Sequence, residues 1–329
     1  MNGKAITYPF INKAPSVERC MLDVIIALVP LLAWSVYIFG ARVLVIALIS
    51  VVAALLAQLL FSLAAKRRAA LGDMSVFVTG LVTAMLMPVS VPLYYPAIAA
   101  SVGIIFGKMI FGGLSKNVFN PAAVGIAFML TAFGEKMNVF VQPFSRLAPF
   151  TVTLSDSQLS GVLTGTTALE LLKADTVDSS SVAEKIYGFT AGNIGEISAL
   201  LIIVSFIYLL VRRVVTPHTT VIYLGSIFVL TALYAYSISF EEPFIYSLTH
   251  VLSGSAVFTG VFLMNDWASV PITRNGKMYF ALGCALITCV MRIYCDAPDG
   301  CVFAVLIMNA FTPMLENATH QPVFGRFYR

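Results

Sequence analysis

Thr164-Gly165-Thr166-Thr167-Ala168-Leu169, followed by Glu170, places three hydroxyls and a carboxylate within seven residues. Thr167 and Glu170 have the spacing of a capping box, in which each side chain answers a free backbone donor at a helix start. Taken alone, the pattern predicts a short helix beginning near Thr167. Asp266, in "FLMNDWASVP", ends a long apolar run beside Asn265 and before Pro271. A carboxylate near lipid is costly, which makes Asp266 an ion-pathway candidate; the other reading is an interfacial acid paired with Arg274 or Lys277. Asp23 reads as interfacial, and Lys108 and Arg292, near span ends, are expected to reach outward to water. His218 and His250 are isolated, and Cys20, Cys284, Cys289, Cys295 and Cys301 show no CxxC spacing, so no metal site is expected. Cys295 and Cys301 flank "CDAPDG" and would pair only if that loop faces an oxidising side. No nucleophilic triad is visible, so no catalytic residue is assigned.

The elements that must carry these residues are set by composition. Of 329 residues 59% are hydrophobic and 11% charged, with a mean hydropathy of +0.91. That balance excludes a water-soluble core and predicts an all-α polytopic membrane protein. The net charge of +4 is small and lies in short loops, which excludes a nucleic-acid partner and leaves the lipid membrane. The polar N-terminal stretch lacks the order of a cleavable signal, so the first helix should stay attached.

With about 20 apolar residues per crossing, spans fall near 22–39, 42–64, 75–90, 93–111, 119–133, 194–211, 219–238, 246–265, 278–295 and 301–316. That gives about ten transmembrane helices. The basic clusters, from Lys4, Lys13 and Arg19 through Lys66–Arg68, Lys116, Arg212–Arg213, Arg274 and Lys277 to Arg326 and Arg329, fall on one side. Both termini are thus expected in the cytoplasm and the loop bearing Thr167 outside. The domains are then 1–133, an N-terminal membrane repeat; 134–193, an extracytoplasmic loop; and 194–329, a C-terminal membrane repeat.

The two membrane halves echo each other. "VFVTGLVTAMLMPVSVP" (76–92) resembles "AVFTGVFLMNDWASVP" (256–271), sharing Thr79-Gly80 and Thr259-Gly260 and a terminal Val-Pro. Asn120-Pro121 and Asn309 with Pro313 follow later in each half. An odd number of spans per copy makes this a 5+5 inverted repeat, which places ligand sites near the midplane between copies. Gly80 and Gly260 serve either such a pocket or close helix packing.

Thr164 to Leu169 resembles the flavinylation motif S/T-G-A-T-x-L of the RnfD/NqrB family, membrane subunits that carry covalent FMN. Gly165 matches the motif's glycine, Thr164 and Leu169 match its flanks, and Thr166 stands where the family has alanine. The acid often found upstream is replaced by Gly161 and Val162. "KNVFNPAAVG" (116–125) is a second family-like stretch, and the length fits RnfD better than NqrB.

The resemblance implies a fold like that of urea and ammonium channels, with FMN joined through its phosphate to Thr167. A phosphate ester there would meet the free N–H groups and favourable dipole of a helix start. It also implies a noncovalent riboflavin between the repeats, near Asn120, Thr79, Thr259 and Asn309. The implied function is an electron-carrying subunit of an Rnf-type translocase, moving electrons between ferredoxin and NAD with transport of Na+ or H+. It would not be an independent enzyme. Implied partners are a flavin transferase, membrane iron-sulfur subunits, a second covalent-FMN subunit, and cytoplasmic ferredoxin- and NADH-side subunits. The alternatives are a solute channel or transporter, an NqrB-like subunit of a sodium-pumping NADH:quinone oxidoreductase, or a structural membrane subunit without cofactor.

Overall fold

The computed structural model describes residues 16–66, 74–153, 179–295 and 299–319. In chain order its helices are α1 (Val17–Phe39), α2 (Arg42–Ala64), α3 (Ser75–Met85), α4 (Tyr94–Val102, continued by a π-helical stretch Gly103–Met109), α5 (Pro121–Met137), α6 (Ser179–Tyr187), α7 (Ala199–Val211), α8 (Pro217–Ser237), α9 (Pro243–Leu252), α10 (Ala256–Phe258, continued by a π-helical stretch Thr259–Leu263), α11 (Arg274–Tyr294) and α12 (Cys301–Ala318). The protein is an all-helical polytopic membrane protein. Among the described residues five helices are long and apolar enough to cross a bilayer, and α9 with α10, bent by 62°, counts as a sixth if the pair is one span. The apolar α3 and α7 are shorter than a full crossing.

Local chemistry sets the helix boundaries. Ser16, Asn120, Ser198 and Thr273 cap α1, α5, α7 and α11 by accepting backbone N–H bonds. Pro121, Pro217 and Pro243 occupy first-turn positions, where a missing N–H costs nothing. Gly40, at φ 85°, ends α1 and turns the chain directly into α2. Beyond α3 the chain unwinds through "LMPVSVPL", where Pro88 and Pro92 disfavour further helix. Leu48, Leu60, Leu63 and Val221, Val229, Leu233 stand exposed on α2 and α8, faces suited to hydrocarbon.

The unwound stretch after α3 is held by polar groups from distant segments. Arg42, fully buried, donates to the carbonyls of Val89, Val91, Ala148 and Thr151, each at 2.9 Å. The backbone N–H groups of Ile194 and Gly195 donate to Met87 and Met85 carbonyls at 3.0 and 2.6 Å. Such outside donors are what allow non-helical backbone at membrane depth.

The echoed segments occupy matching positions. Ser50 on α2 donates to the Gly80 carbonyl at 2.7 Å, and Thr220 on α8 donates to the Gly260 carbonyl at 2.6 Å. A Cβ on Gly80 would come within 2.8 Å of Val51 Cα, and one on Gly260 within 3.2 Å of Tyr223. Both glycines therefore serve close packing, Gly80 against α2 and Gly260 against α8.

Candidate functional site between the two halves

A cavity of about 100 Å³, open to solvent at its mouth, lies where the two halves meet. One wall comes from α1, α3, the π-helical end of α4 and the start of α5; the other comes from the end of α7, the π-helical end of α10 and residues 264–267. Val78, Val82, Phe262 and Trp267 make apolar faces, while Lys108, Asn117, Asn120, Asn265 and Asp266 supply polar groups.

Asn120 sits here because Asn-Pro starts α5: its Oδ1 accepts the Ala123 N–H at 3.2 Å, and its Nδ2 donates to Asp266 Oδ2 at 3.2 Å. Asp266 also accepts from Ser269 Oγ at 2.8 Å and from the Ala268 N–H at 3.3 Å. Asn309 on α12 completes the clamp: with its amide turned to satisfy both partners, it donates to the Ser269 carbonyl and accepts the Asn120 N–H, each at 3.0 Å. Asn265 donates to Thr220 Oγ1, Gly260 O and Val261 O at 3.0 to 3.2 Å, which caps the carbonyls of the π-helical turn. Asn117 Oδ1 is buried on the cavity wall without a hydrogen-bond partner among the described residues.

The structure brings Thr79, Asn120 and Asp266 to the cavity, whereas Thr259 and Asn309 are fully buried and do not line it. Thr164, Gly165, Thr166, Thr167 and Leu169 lie outside the described residues.

Two expectations are corrected. Lys108 and Arg292 do not reach to water, since they are 2% and 1% exposed. Lys108 Nζ donates to Gln58 Oε1 at 3.0 Å and to Ser75 Oγ, and Arg292 pairs with Asp299 at 2.8 Å. A charge taken from water must find such partners, and here they come from other helices and loops. The interfacial pairing considered for Asp266 is also absent, because no salt bridge to Arg274 or Lys277 forms among the described residues.

Asp23 is buried and bonds Tyr208 of α7 and Arg212 just after it, both at 3.0 Å. Cys301 is buried with Arg292 Nη2 at 3.4 Å from its Sγ and forms no disulfide. Lys108, Asn117, Asn265 and Trp267 join the site beyond the residues expected there. The cost of burying a cation would have flagged Lys108, and the Asn-Asp-Trp run would have flagged its two outer residues.

The family model described as NQR2, RnfD, RnfE family matches residues 4–325. The chain belongs to that family. It is similar, at 31% identity over 99% of its length and 96% of the relative, to the D-type subunit of the Na(+)-translocating ferredoxin:NAD(+) oxidoreductase complex of Acetobacterium woodii. It is 32% identical, over 96% of its length and 94% of the relative, to the D-type subunit of the ion-translocating oxidoreductase complex of Halorhodospira halophila. At 27% identity, over 96% of its length and 94% of the relative, it resembles the D-type subunit of the proton-translocating ferredoxin:NAD(+) oxidoreductase complex of Clostridium ljungdahlii. Within this NQR2, RnfD, RnfE family the relatives are named for both sodium and proton translocation, so membership leaves the ion open.

Proposed function

We propose that the chain is the D-type subunit of an ion-translocating ferredoxin:NAD oxidoreductase complex and that it carries electrons on flavin. End-to-end similarity to three D-type subunits supports its place in such a complex. The observation that carries the flavin reading is the cavity between the halves, with apolar walls and a buried unpartnered acceptor at Asn117 beside the amides of Asn120 and Asn265, which protein partners hold in place. An unpartnered acceptor on an apolar wall suits a ring N–H at the edge of a planar heteroaromatic group, as a noncovalent flavin such as riboflavin has. Thr167, within Thr164 to Leu169, is the proposed attachment point for FMN through its phosphate.

Flavin supplies one- and two-electron chemistry, and the protein holds it in place and tunes its surroundings. In the cavity, Asn117, Asn120 and Asn265 would hold the ring edge, and Phe262 and Trp267 would line its faces. Asp266 is proposed to lie on the ion pathway. Both termini are assigned to the cytoplasm and the 134–193 loop to the other side. The matched contacts at Gly80 and Gly260 support a 5+5 inverted repeat.

In natively produced complex, Thr167→Ala is expected to abolish the flavin fluorescence that survives a denaturing gel, and Thr166→Ala to leave it. Mass spectrometry of the Thr167 peptide checks the assignment. An unmodified peptide from active complex would sink the covalent reading, and label persisting in Thr167→Ala would move it to Thr166.

A further inference from the structure

A second cavity, of about 210 Å³ and open at its rim, adjoins the first and shares Asn265, Asp266 and Trp267 with it. Val270 and Pro271 give it apolar walls, and Thr216 and Lys277 are the polar groups it adds. It lies where two membrane-crossing helices begin. Thr216 is the N-cap of α8, with no capping bond from its side chain, and Lys277 belongs to the first turn of α11. The positive ends of both helix dipoles are therefore beside this cavity.

Lys277 is half-buried, and its ammonium has no hydrogen bond or ion pair among the described residues. A cation drawn part-way out of water needs a partner, and Lys108 and Arg292, buried elsewhere, both have theirs. The acids nearby are already engaged. Asp266 accepts from Asn120, the Ala268 N–H and Ser269, and Glu316 of α12 accepts the Ile272 N–H at 3.0 Å. Exposed Arg213 and Arg274 adjoin the lining stretches along the chain and, with Lys277, outweigh the charge of those two acids. The unmet group is a cation, and the ligand that answers it is an anion.

The rim favours a lipid as the source of that anion. Ile272 and Trp267 line the cavity while 81% and 47% exposed. An exposed isoleucine and an indole beside helix starts suit the boundary between headgroups and hydrocarbon, and basic pockets between membrane helices take anionic headgroups.

We propose that this second cavity binds the phosphate of an anionic membrane phospholipid, with Lys277 as its counter-ion and the acyl chains leaving past Ile272 and Trp267. The charge-assisted contact to the phosphate replaces the water that Lys277 has lost. The site needs neither flavin nor electron transfer, so it stands apart from the function proposed above.

Native mass spectrometry of the purified full-length chain, stripped of lipid in detergent and titrated with phosphatidylglycerol, tests this. Wild type is expected to hold one phospholipid more tightly than the rest. Lys277→Gln is expected to weaken that adduct about tenfold, the effect of losing one charge-assisted contact. Lys277→Arg is expected to keep it, as is Lys136→Gln, exposed at the end of α5 away from Asn120. Ile272→Glu, at a position too exposed for packing to constrain, is expected to weaken the same adduct by placing an acid at the rim. Equal adducts in wild type, Lys277→Gln and Ile272→Glu would overturn the site. Inorganic phosphate titrated in place of lipid separates the sources: a phosphate adduct lost in Lys277→Gln while the lipid adducts persist would overturn the lipid assignment.

Discussion

Asp266 is held by Asn120, the Ala268 N–H and Ser269, and none of these donors is a cation. Its charge is therefore solvated by dipoles within the protein, an arrangement that positions a carboxylate without neutralising it. Asp266→Leu leaves three donors unpartnered, at about 1–3 kcal/mol each, and is expected to lower the melting temperature of purified protein markedly. Asp266→Asn keeps the shape and is expected to fold. In vesicles it should lower ions moved per electron if Asp266 lies on the ion pathway, and an unchanged ratio would remove it from that route. The costliness of an intramembrane acid makes Asp266 legible from sequence. Lys108 and Arg292 escape that reasoning because Gln58 and Asp299, which hold them, come from other segments that sequence spacing does not place beside them.

At the scale of the element, small residues decide how close helices come. A Cβ on Gly103 would sit 2.3 Å from the Pro121 carbonyl oxygen, and one on Gly125 2.2 Å from that of Ala99, whereas one on Gly134 would meet nothing within 4 Å. Gly103→Ala forces α4 and α5 apart and is expected to cost about 1–3 kcal/mol. Gly134→Ala is expected to be neutral or stabilising by up to about 1 kcal/mol. Thermal unfolding of the two variants side by side checks this, and equal melting temperatures would contradict it. Hydropathy locates α1, α2, α8, α11 and α12 well, since each is a continuous apolar helix. It extends α3 through 90, because "LMPVSVPL" is as apolar unwound as it would be helical. Only the donors from Arg42, Ile194 and Gly195 reveal where that backbone leaves the helix.

For the molecule as a whole, α6 ties the segment between the halves to the second half. Lys185 is buried, and desolvation pulls its ammonium down to about 8. Its folded value lies below its unfolded one, so the native state binds fewer protons between the two. The burial penalty is then full below about pH 8 and is relieved as pH rises toward the ordinary lysine range. Thermal stability is expected to climb from about pH 8 to about pH 10, and Lys185→Met is expected to remove that slope and raise stability at neutral pH. A flat wild-type profile, or a slope kept by Lys185→Met, would count against it. Composition and periodicity alone determined that this is a helical membrane protein with two echoing halves, because burial of apolar side chains in lipid is a local property that each segment carries. The family resemblance is also readable along the chain, from Lys116 to Gly125. The tertiary structure alone decided that Thr79, Asn120 and Asp266 share a cavity with Lys108 and Asn117, that Asn309 clamps the network from behind, and that Lys277 lines a second cavity without a partner among the described residues. Those outcomes depend on which groups satisfy one another across distant segments, and no stretch of sequence names its own hydrogen-bond partner.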